Sequence, residues 1–320
     1  MTHPSYIALL NSGELLRRVA LGYRALRECR LCPHDCGVNR LRGETGVCRT
    51  GKIVKIASAN LHYGEEPPIS GPSHETAHGA SGEGRGSGTI FFSNCNLRCK
   101  FCQNYPISQL GSGSSVTPQE LAEKMLSLQE RGAYNINLVT PSHVVPQFLA
   151  ALYIAAKGGF CLPIVYNTSG YDGIESLKLL DGVVDVYLPD IKYADDNISR
   201  EYSGAPHYKE HNRAAIKEMY RQVGDLVCDD EGLAVRGLIV RHLVLPGGGA
   251  ATREAMEFLA REISPETHVS LMSQYFPADR SLHHEFLKRR VSREEWADAV
   301  AALHEAGLEN GWIQPEPEEE

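Results

Sequence analysis

From Thr89 onward, short β-type runs alternate with helical ones six times, and nothing else in the sequence restricts the fold as much. Short apolar, β-branched stretches predict strands over 89–92, 136–140, 163–166, 183–188, 238–245 and 269–272. Helices are predicted over 117–132, 144–156 and 174–180, once or twice within 198–223, over 253–263, and from Ser292 onward. Thr117-Pro118-Gln119-Glu120 is a capping box with proline at the first helical position, and Ser292 has Glu295 three residues on. Six strand–helix repeats imply an α/β fold, a parallel sheet covered by helices. In such a fold the working residues collect where each strand ends and its loop leads into a helix.

The polar residues fall at those ends. Cys95, Cys99 and Cys102 follow the first strand, Thr140, Ser142 and His143 the second, and Asn167, Thr168 and Ser169 the third. The fourth ends in Asp190 and Lys192, the fifth carries Arg241 and His242, and the sixth ends in Ser273, Gln274 and Tyr275. Strand alternation puts Arg241 and His242 on opposite faces, which favours Arg241 as the site residue. His143 follows a proline at a helix start, where capping is an alternative role.

The three cysteines are spaced Cys-x3-Cys-x2-Cys. Thiolates this close can face one metal centre, and soft sulfur ligands select zinc, copper(I) or iron–sulfur clusters. Three is one short of the four that close a [4Fe–4S] cube, so one iron would be left to bind a small molecule. Zinc would want a fourth ligand, often a second Cys pair or a His pair, and none lies just downstream.

A second group precedes the repeats. After a helix predicted over 12–28, Cys29, Cys32, Cys36 and Cys48 are spaced Cys-x2-Cys-x3-Cys-x11-Cys. Four thiols on a Gly-rich loop suit either tetrahedral zinc or a closed, four-ligand iron–sulfur cluster, and both readings stay open. His34 lies between two of them, where its ring would often point away. Cys161 and Cys228 stand alone and are expected to be small buried hydrophobes. Residues 52–63 alternate as a strand or hairpin, and Glu65 and Glu66 beside Pro67-Pro68 are expected in a solvated turn. The chain thus divides into a Cys-rich segment with its hairpin (1–72), a Gly/Ser-rich loop (73–88), the strand–helix repeats (89–312) and an acidic tail (313–320).

With 320 residues, 42% of them apolar, the chain can bury a large core. The formal net charge of −8 argues against a nucleic-acid surface, which needs a basic patch. No apolar run is long enough to cross a bilayer and no signal-peptide pattern opens the chain, so a cytoplasmic protein is expected, with its thiols free for metal.

The Cys-x3-Cys-x2-Cys stretch in SNCNLRCKFCQN resembles the signature of the radical S-adenosylmethionine (SAM) superfamily. Together with it, INLVTPSH (136–143), LPDIKY (188–193), YSGAPHY (202–208), IVRHLVLPG (239–247), LMSQYFPA (271–278) and CRLCPHDCGVNR look like one subfamily of it, described as related to pyruvate formate-lyase activating enzymes. The resemblance implies a partial (βα)6, TIM-like barrel and an oxidoreductase. A reduced [4Fe–4S] cluster on Cys95, Cys99 and Cys102 would split SAM into methionine and a 5′-deoxyadenosyl radical that takes a hydrogen atom from a substrate. The electron would come from a donor such as flavodoxin or ferredoxin. Phe101 matches the aromatic expected beside the adenine. Residues 137–142 stand where many relatives hold the SAM amino group with Gly-Gly-Glu, which makes Asn137, Thr140 and Ser142 candidates here. Asn167, Thr168, Ser169 and Asp190 resemble residues lining the SAM site, with Gln274 added from the sixth strand end, and Lys192 would pair with the SAM carboxylate. Lys192 and Arg241 are the catalytic candidates. The substrate would be a protein glycine or, because the extra cysteines precede the barrel instead of following the signature, a small molecule; a non-catalytic metal scaffold for electron transfer is the remaining alternative.

Overall fold

The computed structural model describes residues 4–71 and 85–317. Most of the 73–88 loop therefore lies outside the described residues. Ten strands form one sheet: β1 Val54–His62, β2 Ser87–Phe92, β3 Ser114–Val116, β4 Ile136–Val139, β5 Ile164–Thr168, β6 Val186–Pro189, β7 Val227–Cys228, β8 Ala234–Leu243, β9 His268–Met272 and β10 Gly311–Ile313. Their order is β10-β9-β8-β6-β5-β4-β2-β1-β3, with β7 paired to β8. Along that order every pair from β2 to β10 is parallel, while β7 pairs antiparallel with β8 and β1 adds antiparallel to β2. Successive parallel strands are spatial neighbours with helices between them, which is the partial TIM-like barrel.

Both capping boxes form. Thr117 accepts from the Glu120 N–H while the Glu120 carboxylate takes the Thr117 N–H at 2.7 Å, starting the helix Pro118–Glu130. Ser292 and Glu295 do the same for Arg293–Glu305. Boundaries shift where a local contact intervenes. The 12–28 helix is split by Gly13 (φ 77) into Tyr6–Asn11 and Glu14–Ala25. The strand expected from 183 starts at Val186, because the N–H groups of Val183 and Val184 close a turn onto Leu180 O. The helix from Thr252 ends in a π-turn, Leu259–Ile263. Strands β3, β7 and β10 are two or three residues long, too short for any periodicity to announce them. Cys161 and Cys228 are exposed, not buried: each sits on a connecting segment or edge strand with nothing packed over it.

The barrel is filled by Val165, Val186, Leu188 and Ile239, with Ile69 among them at 0% exposure. Ile69 belongs to the short helix Pro67–Ser70 that follows β1. Since β1 runs antiparallel to β2 and His62 pairs with Ser87, this segment enters from the strands' N-terminal end and plugs the barrel there.

The N-terminus is pinned to the same end. Asp185, buried just before β6, accepts from Ser5 N at 3.0 Å, Ser5 Oγ at 2.9 Å and Ile164 N at 2.9 Å. Asp185→Ala should cost about 1–3 kcal/mol by orphaning these donors, read as a lower urea midpoint with an unchanged slope.

Candidate active site

Leaving β2, the chain turns through Asn94 in the left-handed region (φ 70) and presents the three cysteines. The loop is held from outside by Arg98 N to Ser203 O (2.8 Å) and Lys100 N to Tyr202 O (2.7 Å). Cys95, Cys99 and Cys102 all line a cavity of about 660 Å³, within the range of ligand sites, roughly 300–1,000 Å³. Leu97 N donates to Cys95 Sγ at 3.3 Å, Ser203 Oγ to Cys99 Sγ at 2.9 Å, and Cys102 Sγ lies 3.0 Å from Ser108 Oγ. Burial pushes the Cys95 and Cys99 thiols up, and for Cys99 the Lys192 ammonium pulls the other way. Bound metal reverses such a shift by deprotonating its thiols outright. Among the described residues no three His, Cys, Asp or Glu side chains are arranged for a single metal ion. Three thiols lining one cavity are the donor set that a four-iron cube with one iron left free would use.

Next to the cysteines lies an ion pair. Lys192 Nζ donates to Asp190 Oδ2 at 2.6 Å. Burial alone would lower the lysine, but Asp190 and Cys99 outweigh it, so the ammonium is held charged. Asp190 takes one of its three donors. Behind the pair, Tyr208 OH takes the Lys192 N–H and donates to Ser169 O at 2.8 Å, while Asn212 Nδ2 reaches Gly170 O and Asp190 O. Asn167, Thr168 and Ser169 line the cavity beside them. Ser169 Oγ is buried on that wall and, among the described residues, has no hydrogen-bond partner. A buried hydroxyl left without a protein partner, on a residue of the cavity wall, is a place where a polar ligand could complete the bonding. Thr140 lines the cavity in the left-handed region at φ 58, a strained position for a β-branched residue.

The far wall was not legible in the sequence. Glu65 and Glu66 are buried, not solvated: Arg241 Nε and Nη2 meet the Glu66 carboxylate at 2.7 and 2.6 Å, and Nη2 also meets Glu65. The plug carries both carboxylates under β8, so they form the cavity floor together with His62. Only a pairing 175 residues apart reveals them. Trp312 and Gln314, from β10 and just beyond, complete this side with Gln274.

Some expected residues do not reach the cavity wall. Phe101 packs edge-on against Tyr275, ring centroids 5.8 Å apart, in the hydrophobic core. Ser142 Oγ is buried against Thr168 Oγ1 at 3.0 Å, and Asn137 lies wholly inside the barrel with both amide atoms unpartnered. His242 is structural: its ring bonds Ile191 O and Thr252 Oγ1, and burial pushes it down to about 4. His143, also pushed down to about 4 by burial, bonds Ser93 O. At the front of the chain, Cys29, Cys32, Cys36 and Cys48 line one small cavity, and His34 turns away to meet Asn96 O at 2.7 Å.

Residues 89–229 match the family model of the Radical SAM superfamily. An uncharacterized protein of Methanocaldococcus jannaschii is 29% identical over 91% of this chain and 79% of its own length. The pyruvate formate-lyase-activating enzyme of Clostridium pasteurianum is 28% identical over 34% of this chain and 46% of that enzyme. Among solved structures, a radical SAM methyltransferase from Sphaerobacter thermophilus aligns with a TM-score of 0.49 at 16% identity, covering 71% of this chain and 65% of its own.

Two outcomes follow from the geometry. At Gly170 (φ +71) a Cβ would collide with Asn212 Nδ2 and Asp190 O, so Gly170→Ala should lose about 2–4 kcal/mol in denaturant titration and displace the Ser169 wall. Burial would raise the Glu65 carboxyl, but Arg241 and His62 outweigh it and hold it at about 2, against an ordinary 4.5. A depressed carboxyl contributes its stability above its ordinary value and loses it as pH falls through the folded one. Between pH 4.5 and about 2, wild-type stability should therefore fall more steeply than that of Glu65→Gln.

Proposed function

We propose, from the match of residues 89–229 to the family model of the radical SAM superfamily, that this chain cleaves SAM reductively and uses the resulting radical on a substrate held against Arg241, Glu65 and Glu66. The observation that carries the reading is three thiols lining one cavity, Cys95 and Cys99 of them buried, beside a charged lysine and an unpartnered serine hydroxyl. Cys95, Cys99 and Cys102 would hold the [4Fe–4S] cluster, which when bound supplies the electron for SAM cleavage. Lys192, oriented by Asp190, offers its remaining donors to the SAM carboxylate as a compact cation. Ser169, Thr168 and Asn167 supply polar contacts, and Thr140 is held where its hydroxyl and backbone meet the ligand. A flavodoxin- or ferredoxin-type protein is the expected one-electron donor.

For the substrate, partial similarity to the Clostridium activating enzyme supports a protein glycine. The small-molecule reading is favoured by a different observation. Two carboxylates and a guanidinium are buried on the floor opposite the cysteines, and a buried network of that kind is costly unless it serves binding or specificity. In either case, Arg241 and the two glutamates hold and orient the group from which hydrogen is taken.

Anaerobically reconstituted, dithionite-reduced protein should convert SAM to 5′-deoxyadenosine, and Cys99→Ala should not. Iron-loaded protein that binds SAM without cleaving it would leave only the scaffold reading. Lys192→Met should weaken SAM binding roughly 10–100-fold, the worth of one charge-assisted hydrogen bond, by equilibrium titration.

A further inference from the structure

We propose that the outer face of the cysteine loop, built from Arg49, Arg98, Arg280, Val47, Tyr105 and Leu110, is the docking surface for an acidic protein that carries single electrons. The inference rests on the radical reading of the cavity, which requires one electron for each SAM. Residues 46–55 and 95–110 contain Arg49, Lys52, Lys55, Arg98 and Lys100 and no aspartate or glutamate, in a chain whose formal net charge is −8. Hydrogen bonds gather the three arginines. Arg98 Nη1 donates to Gln109 Oε1 at 3.2 Å and its Nη2 to Val47 O. Arg49 Nη1 donates to Gln109 O at 3.1 Å, and Arg280 Nη2 to Arg98 O at 2.7 Å. Asp279 stands 3.3 Å from Arg280, but Arg49 and Arg98 bond only neutral oxygens, and among the described residues neither pairs with a carboxylate. Arg49 and Arg280 are exposed and Arg98 is half-buried. Like charges grouped in this way repel one another, and a partner's carboxylates relieve that repulsion.

Apolar side chains lie among the arginines. Val47, Tyr105 and Leu110 are 39%, 36% and 70% exposed. Val47 is tied to Arg98 through its carbonyl, and Leu110 N donates to Tyr105 O at 3.1 Å. Arginine and tyrosine beside exposed aliphatic groups are the composition of a protein interface. A small patch suits the brief encounters of electron-transfer partners.

Placement gives the patch its purpose. None of the six residues lines the SAM cavity, whereas Leu97 and Cys99, on either side of Arg98, do. Within two adjacent residues the chain thus presents a thiol inward and a guanidinium outward. Tyr105 N is bonded to Cys102 O at 3.1 Å, so the patch also borders the third cysteine. A carrier seated here stands one loop away from the thiols and leaves the cavity to SAM and substrate. One electron is passed: the reduced carrier loses it, and SAM gains it as its C–S bond breaks to give methionine and the 5′-deoxyadenosyl radical.

The test uses the full chain, reconstituted anaerobically with iron and sulfide, with a reduced acidic flavodoxin or dithionite as reductant in separate arms. Arg49→Gln combined with Arg280→Gln should raise the KM for flavodoxin about 3–10-fold at low ionic strength, while dithionite-driven formation of 5′-deoxyadenosine stays within about twofold of wild type. Raising salt from about 0.05 to 0.5 M should weaken flavodoxin binding to the wild type more than to the variant. Equal KM values, or wild-type binding that is absent or independent of salt, would overturn the proposal. So would a single-stranded oligonucleotide that displaces flavodoxin at equal concentration, since the patch would then be a phosphate surface. Should the double variant fail to fold, the salt dependence of wild-type binding decides alone. Failure of the radical reading would appear separately, as wild-type protein that makes no 5′-deoxyadenosine with dithionite. Equilibrium titration with flavodoxin would then still test the patch, with weaker binding by the variant supporting it and equal binding overturning it.

Discussion

Everything at the site depends on three sulfur atoms, two of them buried, standing beside one retained positive charge. Thiolates are poorly solvated in a protein interior, as the upward push on Cys95 and Cys99 records. Lys192 offsets that cost, and it keeps its own charge only because Asp190 stands 2.6 Å away. Asp190 is positioned in turn by the backbone bonds that Tyr208 and Asn212 make to Ser169, Gly170 and Asp190. Thiols, cation, counter-ion and helix thus form one chain of dependence reaching from the first cysteine to the helix Tyr208–Val223. A change anywhere along it is felt at the sulfur atoms.

The opposite wall is built on another principle. Arg241 could have been left facing an open barrel; instead the segment after β1 brings Glu65 and Glu66 up from below. Two carboxylates against one guanidinium leave the floor short of positive charge, and His62 is pushed up chiefly by the Glu65 carboxylate 3.4 Å away. Removing one partner from a buried pair of this kind typically costs about 3–5 kcal/mol, so the plug and the site are one structural unit. The same segment closes the barrel with Ile69 and furnishes its polar floor.

Six strand–helix repeats, two capping boxes and the cysteine spacing were legible because each is a local pattern, complete within a dozen residues. The triad, Asn167 to Ser169, Asp190 and Lys192 all reach the cavity from strand ends, as position in the repeat implied. Phe101, Ser142 and Asn137 share that placement in the chain but not in space. Phe101 turns into the core toward Tyr275, Ser142 is used up on Thr168, and Asn137 points into the barrel below the cavity. The loops' backbone direction decides such orientations, and it depends on residues such as Gly170 that accept a left-handed conformation.

By itself the sequence determined the parallel α/β architecture, the grouping of seven cysteines into a three and a four, and a metal-centred reading of both. These are matters of periodicity and of short spacing along the chain. Tertiary structure alone decided that Glu65 and Glu66 meet Arg241 and that Arg40 lies against Cys29. Such pairings join segments far apart in sequence. They are set when the whole barrel closes and every buried charge has to find its partner.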